Sequence, residues 1–149
     1  MVGLANGVQD LAMLARHGSA SSGSIVAQEF IDKPGRDIRI TVVGGEAVAA
    51  IYRYSPGDDW RTNTARGGGR AEAAKLSPEL EDIGGVKSAE AIKASYAGGV
   101  DVVESRDGYK VLEVNVVPEF KNVMRVTGGV NVARRIVDLL MLAARRGGA

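Results

Sequence analysis

No cysteine occurs among the 149 residues, which excludes disulfides, thiolate metal sites and cysteine nucleophiles and suits a reducing cytoplasm. Histidine is nearly as scarce. The single His17 follows an expected helix and reads as a solvent-exposed helix-end residue, so no histidine-centred chemistry is indicated. No apolar run approaches the roughly 20 residues of a membrane span, and the first residues lack the basic-then-apolar layout of a signal peptide; a cytoplasmic protein is expected. An excess of one charge sign is also missing. With 19 basic and 18 acidic residues the formal charge is +1, so nothing global points to a nucleic-acid or membrane partner. What is present, 45% hydrophobic and 25% charged residues, fits one globular core.

The elements come in the order helix, strands, loop, helix, strands, helix, which predicts an α+β fold. Val8, Leu11, Ala12 and Ala15 have helical spacing, and the glycine- and serine-rich stretch from His17 to Gly23 ends that helix in a linker. Strands are expected over 25–31, 36–43 and 46–54, with Gly44 and Gly45 joining the last two in a tight hairpin. Residues 55–70 are irregular but rich in arginine, glycine and proline, and read as a working loop. Ser77 caps and Pro78 opens a helix expected to run to about Tyr96, weakened where Gly84 and Gly85 interrupt it. Two further strands, 100–103 and 110–116, flank a turn at 105–108. Asn131 caps a final helix whose stripe is Val132, Ile136, Leu139, Leu140 and Ala143.

The last hairpin carries the chemistry. Glu113 and Asn115 share one strand face, and a turn near Asp107 sets Asp101 roughly across from Glu113. Three carbonyl or carboxylate oxygens converging over one patch of sheet suit a hard cation, and magnesium fills its remaining positions with water and phosphates. Any one of the three alone equally fits a strand residue facing water. Glu29 and Phe30 precede an irregular Pro34-containing hinge whose free backbone groups suit a flat heterocycle such as adenine, and Asp37 can accept from a ribose hydroxyl. Strand-end charges would look the same, and Arg39 would then pair with Asp37 or Glu46. In the loop, Arg61, Asn63 and Arg66 with three successive glycines suit phosphate or carboxylate oxygens. Single-stranded nucleic acid is the less favoured alternative, because the basic residues are confined to that one loop.

These residues resemble a known family. The segments 28–31, 35–39, 48–53 and 60–68, with Val100-Asp101 and Glu113-Val-Asn115, resemble the C-terminal half of ATP-grasp ligases of the RimK/LysX type, over about four fifths of the chain. The resemblance implies an N-terminal remnant and linker over 1–24 and a C-terminal ATP-grasp subdomain over 25–149, mainly antiparallel sheet covered by helices. It implies ATP as co-substrate, two magnesium ions, Asp101, Glu113 and Asn115 as metal ligands, and Glu29, Phe30, Asp37, Arg61, Thr62 and Asn63 at the nucleotide. Arg61, Asn63 and Arg66 would serve the reaction centre, and Arg36, Asn122 and Val123 the amino-acid substrate. The activity implied joins α-aminoadipate to an acidic amino-group carrier protein through an acyl phosphate. Asn122 agrees with that substrate, while Val123 departs from the small hydroxyl residue expected there and leaves glutamate open.

Other outcomes stay open at this point: a glutamate ligase acting on a ribosomal protein tail or a coenzyme, or a non-catalytic nucleotide-binding fragment. Full ligases of this type carry a lysine and a glycine-rich flap in a preceding half. The expectation is therefore a fragment that associates with itself or with that half.

Overall fold

The computed structural model describes residues 27–55, 62, 70–88, 97–117 and 119–147. Two compact units divide between Asp32 and Lys33. In the first unit the described residues, 27–32, form no helix or strand.

The second unit is built on five strands: β1 (Arg36–Val43), β2 (Glu46–Tyr54), β3 (Ala71–Ala74), β4 (Ala97–Ser105) and β5 (Gly108–Asn115). All pairings are antiparallel, in the order β3-β2-β1-β4-β5. Among the described residues, three helices accompany them: α1 (Pro78–Asp82), continuing into a π-helical turn (Ile83–Lys87), α2 (Lys121–Thr127) and α3 (Val132–Gly147). No helix of the described residues is long and apolar enough to cross a membrane.

The period of two along β1 divides the protein. Ile38, Ile40 and Val42 face one way and pack with Ala50, Val100, Val102 and Leu80 of α1 into the first core. On the opposite face, Val43, Ala49 and Ile51 pack under Val123 of α2 and Val132 of α3. That second core covers only one end of its face. The other end carries Asp37, Arg39, Arg53, Asp101, Glu113 and Asn115, which the strand register aligns.

Both hairpins follow their turn chemistry. Gly44 and Gly45 take φ of 64° and 84°, the left-handed pair a two-residue connection needs. At the β4–β5 turn, the Ser105 hydroxyl donates to the Gly108 carbonyl at 2.7 Å and accepts from the Asp107 N–H at 3.2 Å. Ser77 caps α1 by accepting from the Leu80 N–H at 3.3 Å, and Asn131 caps α3 by accepting from the Arg134 N–H at 2.9 Å.

Several expectations are corrected. The strand placed over 25–31 is absent from residues 27–31, which form no ladder. Both edges of the following strand, β1, are taken by β2 and β4. The helix opened by Pro78 is α-helical over Pro78–Asp82 and, at the expected weak point, widens into a π turn containing Gly84 and Gly85; residues 89–96 of its expected span lie outside the described residues. These glycines are packing residues as well as helix weakeners. A Cβ on Gly84 would stand 2.5 Å from Ile40 Cγ2, and one on Gly85 would stand 2.8 Å from the Gly45 carbonyl oxygen. In α3, Leu140 is exposed rather than part of the buried stripe. The expected helix over 7–16 lies outside the described residues.

Candidate functional site

Asp101 and Glu113 are register partners on β4 and β5, and Asn115 stands opposite Gly99 one step along the same face. A bulge makes this possible: pairing steps from Asp101↔Glu113 to Val102↔Val111, leaving Leu112 as the extra residue beside Glu113. The Asn115 amide donates to Glu113 Oε1 at 2.8 Å. That bond lowers the Glu113 carboxyl below its ordinary value, against the opposing effect of burial.

Asp101 is 4% exposed and sits in a network of charge. Arg39 grips it through both oxygens: Nε donates to Oδ1, and Nη2 donates to Oδ2 at 2.8 Å. Arg53 reaches the same Oδ2 at 2.9 Å and holds Asp37 through two bonds of 2.7 and 2.6 Å. The Thr62 hydroxyl donates to Asp37 Oδ2. Burial pushes the Asp101 carboxyl upward, while Arg53 and Arg39 pull it down. For Arg53, burial opposes the charge, but hydrogen bonds to Asp37 and the field of Asp101 raise its pKa. Three carboxylates face two guanidinium groups, with the Lys33 ammonium in electrostatic reach of Asp37 and Arg53.

The oxygen-only set of Asp101, Glu113 and Asn115 fits magnesium, which accepts one or two carboxylates and keeps room for water and phosphate. Among the described residues, no group of three or more His, Cys, Asp and Glu side chains converges, so any cation there relies on the amide as well.

Asp37 lies on the same face, but its carboxylate is 3% exposed and already bonded to Arg53 and Thr62, so a ribose hydroxyl would have to compete for it. Thr62 is buried against Asp37. Glu29 and Phe30 lie in the first unit and are exposed. Arg61, Asn63 and Arg66 lie outside the described residues.

Arg36 points to the opposite face of the sheet from Asp101. It pairs with Glu104 at 2.8 and 3.1 Å and stacks over Tyr52 at 4.1 Å. Val123 is 0% exposed within the second core, in the same cluster as Val43 and Ile51. Asn122, next to it, is partly exposed and accepts from Arg125 at 3.4 Å.

Arg39 and Arg53 were not among the sequence candidates. Arg39 pairs with Asp101 rather than with Asp37 or Glu46, because β4 rather than β2 supplies the acid opposite it. The signal available was their alternation with apolar residues on β1 and β2. Their partner was hidden behind the non-local β1–β4 pairing.

Comparison with known proteins agrees with the architecture. A RimK-like ATP-grasp domain matches residues 2–140. The α-aminoadipate–LysW ligase LysX of Saccharolobus solfataricus is 43% identical over 112 residues, covering 74% of this chain and 39% of that protein. The tetrahydromethanopterin:α-L-glutamate ligase of Methanocaldococcus jannaschii is 42% identical over 118 residues, covering 76% and 38%. The chain thus spans about two fifths of these relatives. Among solved structures, a Chryseobacterium gregarium RiPP-associated ATP-grasp ligase, in complex with ADP and a leader and core peptide, aligns with a TM-score of 0.60 at 26% identity, over 76% of this chain and 35% of that one. The D-alanine–D-alanine ligase of Bacillus anthracis, complexed with ATP, aligns over 99% and 52% with a TM-score of 0.70 at 16% identity, a likeness of fold. An antiparallel sheet with acids and an amide on its last hairpin, matched from residue 2 to residue 140, makes this chain a member of the RimK-like ATP-grasp family.

Proposed function

We propose that this chain supplies the metal-binding half of an ATP- and magnesium-dependent carboxylate–amine ligase. The reaction joins α-aminoadipate, or glutamate, to the C-terminal glutamate of an acidic amino-group carrier protein. The observation that carries this reading is the alignment of Asp101, Glu113 and Asn115 on one face of adjacent strands in a chain of this family.

Asp101, Glu113 and Asn115 would hold the magnesium, which neutralises phosphate charge as it develops. Arg61, Asn63 and Arg66 would bind the phosphates and the acyl group, with Glu29, Phe30 and Thr62 on the nucleoside side. A substrate carboxylate attacks the γ-phosphorus and ADP leaves. The amine then attacks the acyl carbon of the resulting acyl phosphate, the amide bond forms, inorganic phosphate departs and the amine proton passes to solvent. No protein nucleophile is used, which agrees with a chain lacking cysteine.

LysX from Saccharolobus solfataricus and the glutamate ligase from Methanocaldococcus jannaschii are similar to this chain to nearly the same degree, and this keeps glutamate as the second substrate reading. Binding is the appropriate test. Calorimetric titration of the chain with magnesium and ATP should give saturable heat that Glu113→Ala abolishes; heat unchanged by that substitution would sink the assignment. Substrate choice is read separately, by adding aminoadipate or glutamate with the carrier and following ADP release.

A further inference from the structure

Arg39 approaches Asp101 along an unusual path. Its guanidinium passes over Gly99, the neighbour of Asp101 on the same face of β4. A Cβ at Gly99 would lie 2.8 Å from Arg39 Nη1 and 3.0 Å from its Cδ. A side chain at that position would force the Arg39 guanidinium to move. From this seat, Arg39 makes its two parallel bonds to Asp101, and Arg53 adds a contact to Oδ2. Oδ2 thus receives two guanidinium donors and Oδ1 one.

We propose that Arg39, seated on Gly99, is a positioning residue that restricts Asp101 to offering a single oxygen to a cation. The proposal rests on the metal reading of Asp101, Glu113 and Asn115. Its chemical meaning is selectivity. Calcium accepts a carboxylate through both oxygens in a flexible shell of six to eight ligands, whereas magnesium requires a near-octahedral set of single oxygens. An Asp101 held to one oxygen favours magnesium; an Asp101 free to rotate admits calcium.

The test uses the full chain, titrated separately with magnesium chloride and calcium chloride. In Arg39→Gln, magnesium affinity should fall about tenfold, the scale on which residues orienting a metal ligand act, while calcium affinity holds or rises. Gly99→Ala keeps every charge but blocks the seat, and should collapse the same magnesium-to-calcium ratio. It also provides the answer if Arg39→Gln fails to fold. Removing a positive charge alone would shift both metals by a common factor. Equal changes for the two ions in both variants would therefore overturn the positioning role while leaving the metal site standing. A flat magnesium titration of the unsubstituted chain would overturn the metal reading and this inference together.

Discussion

At the residue scale, the site face is organised by buried guanidinium groups. Arg53 is 6% exposed and bridges Asp37 to Asp101, so each acid shields the other from an unpaired cation. Removing one member of a buried pair leaves the other's desolvation uncompensated, at a cost of about 3–5 kcal/mol. Asp37→Ala should lower stability by about 3 kcal/mol in urea unfolding, and a loss under 1 kcal/mol would show that Asp101 and Thr62 fully replace it. Glu113 gives a pH signature. Because the Asn115 bond depresses its pKa, its contribution is present above the ordinary glutamate range and is lost as pH falls through the lowered value. Carboxyl NMR should show the Glu113 midpoint moving upward in Asn115→Ala. The three metal candidates could be read from sequence, since polar residues at alternate positions of an apolar strand stand out. The arginines that govern Asp101 could not, because their role depends on which distant strand lies beside β1.

At the element scale, β1, β2 and both hairpin turns were legible from β-branched alternation and paired turn residues. The strand β3 was not: alanine and glutamate are poor strand formers, and four residues hold no period. Nor was α2, whose N-cap Phe120 offers no side-chain capping bond and which follows a proline in sequence. The π turn shows packing overriding helix propensity. Gly84 lets Ile40 enter the first core, and Gly84→Ala, favourable by propensity, should instead destabilise by about 1–3 kcal/mol through overpacking. Thermal unfolding by circular dichroism decides the sign. Val123 and Asn122 should separate likewise. Val123→Ala, opening a cavity in the second core, should cost about 2 kcal/mol, whereas Asn122→Ala should leave stability within about 0.5 kcal/mol.

At the scale of the whole molecule, the second unit is a sheet with the first core on one face and, on the other, the second core beside the charged cluster. Its centre is β1, flanked on both sides and carrying the fully buried Ile38 and Ile40. Hydrogen exchange should find its slowest amides there, with β3 and β5 at the margins exchanging first. The division of β1 into apolar and charged faces has a further effect on how the strands find each other. If β1 slipped by a single position against β2 and β4, Asp37 and Arg39 would be turned into the hydrocarbon layer and Ile38 and Ile40 would replace them outside. The buried charges of β1 therefore act as an alignment mark during assembly, penalising a one-residue misregistration of the strand.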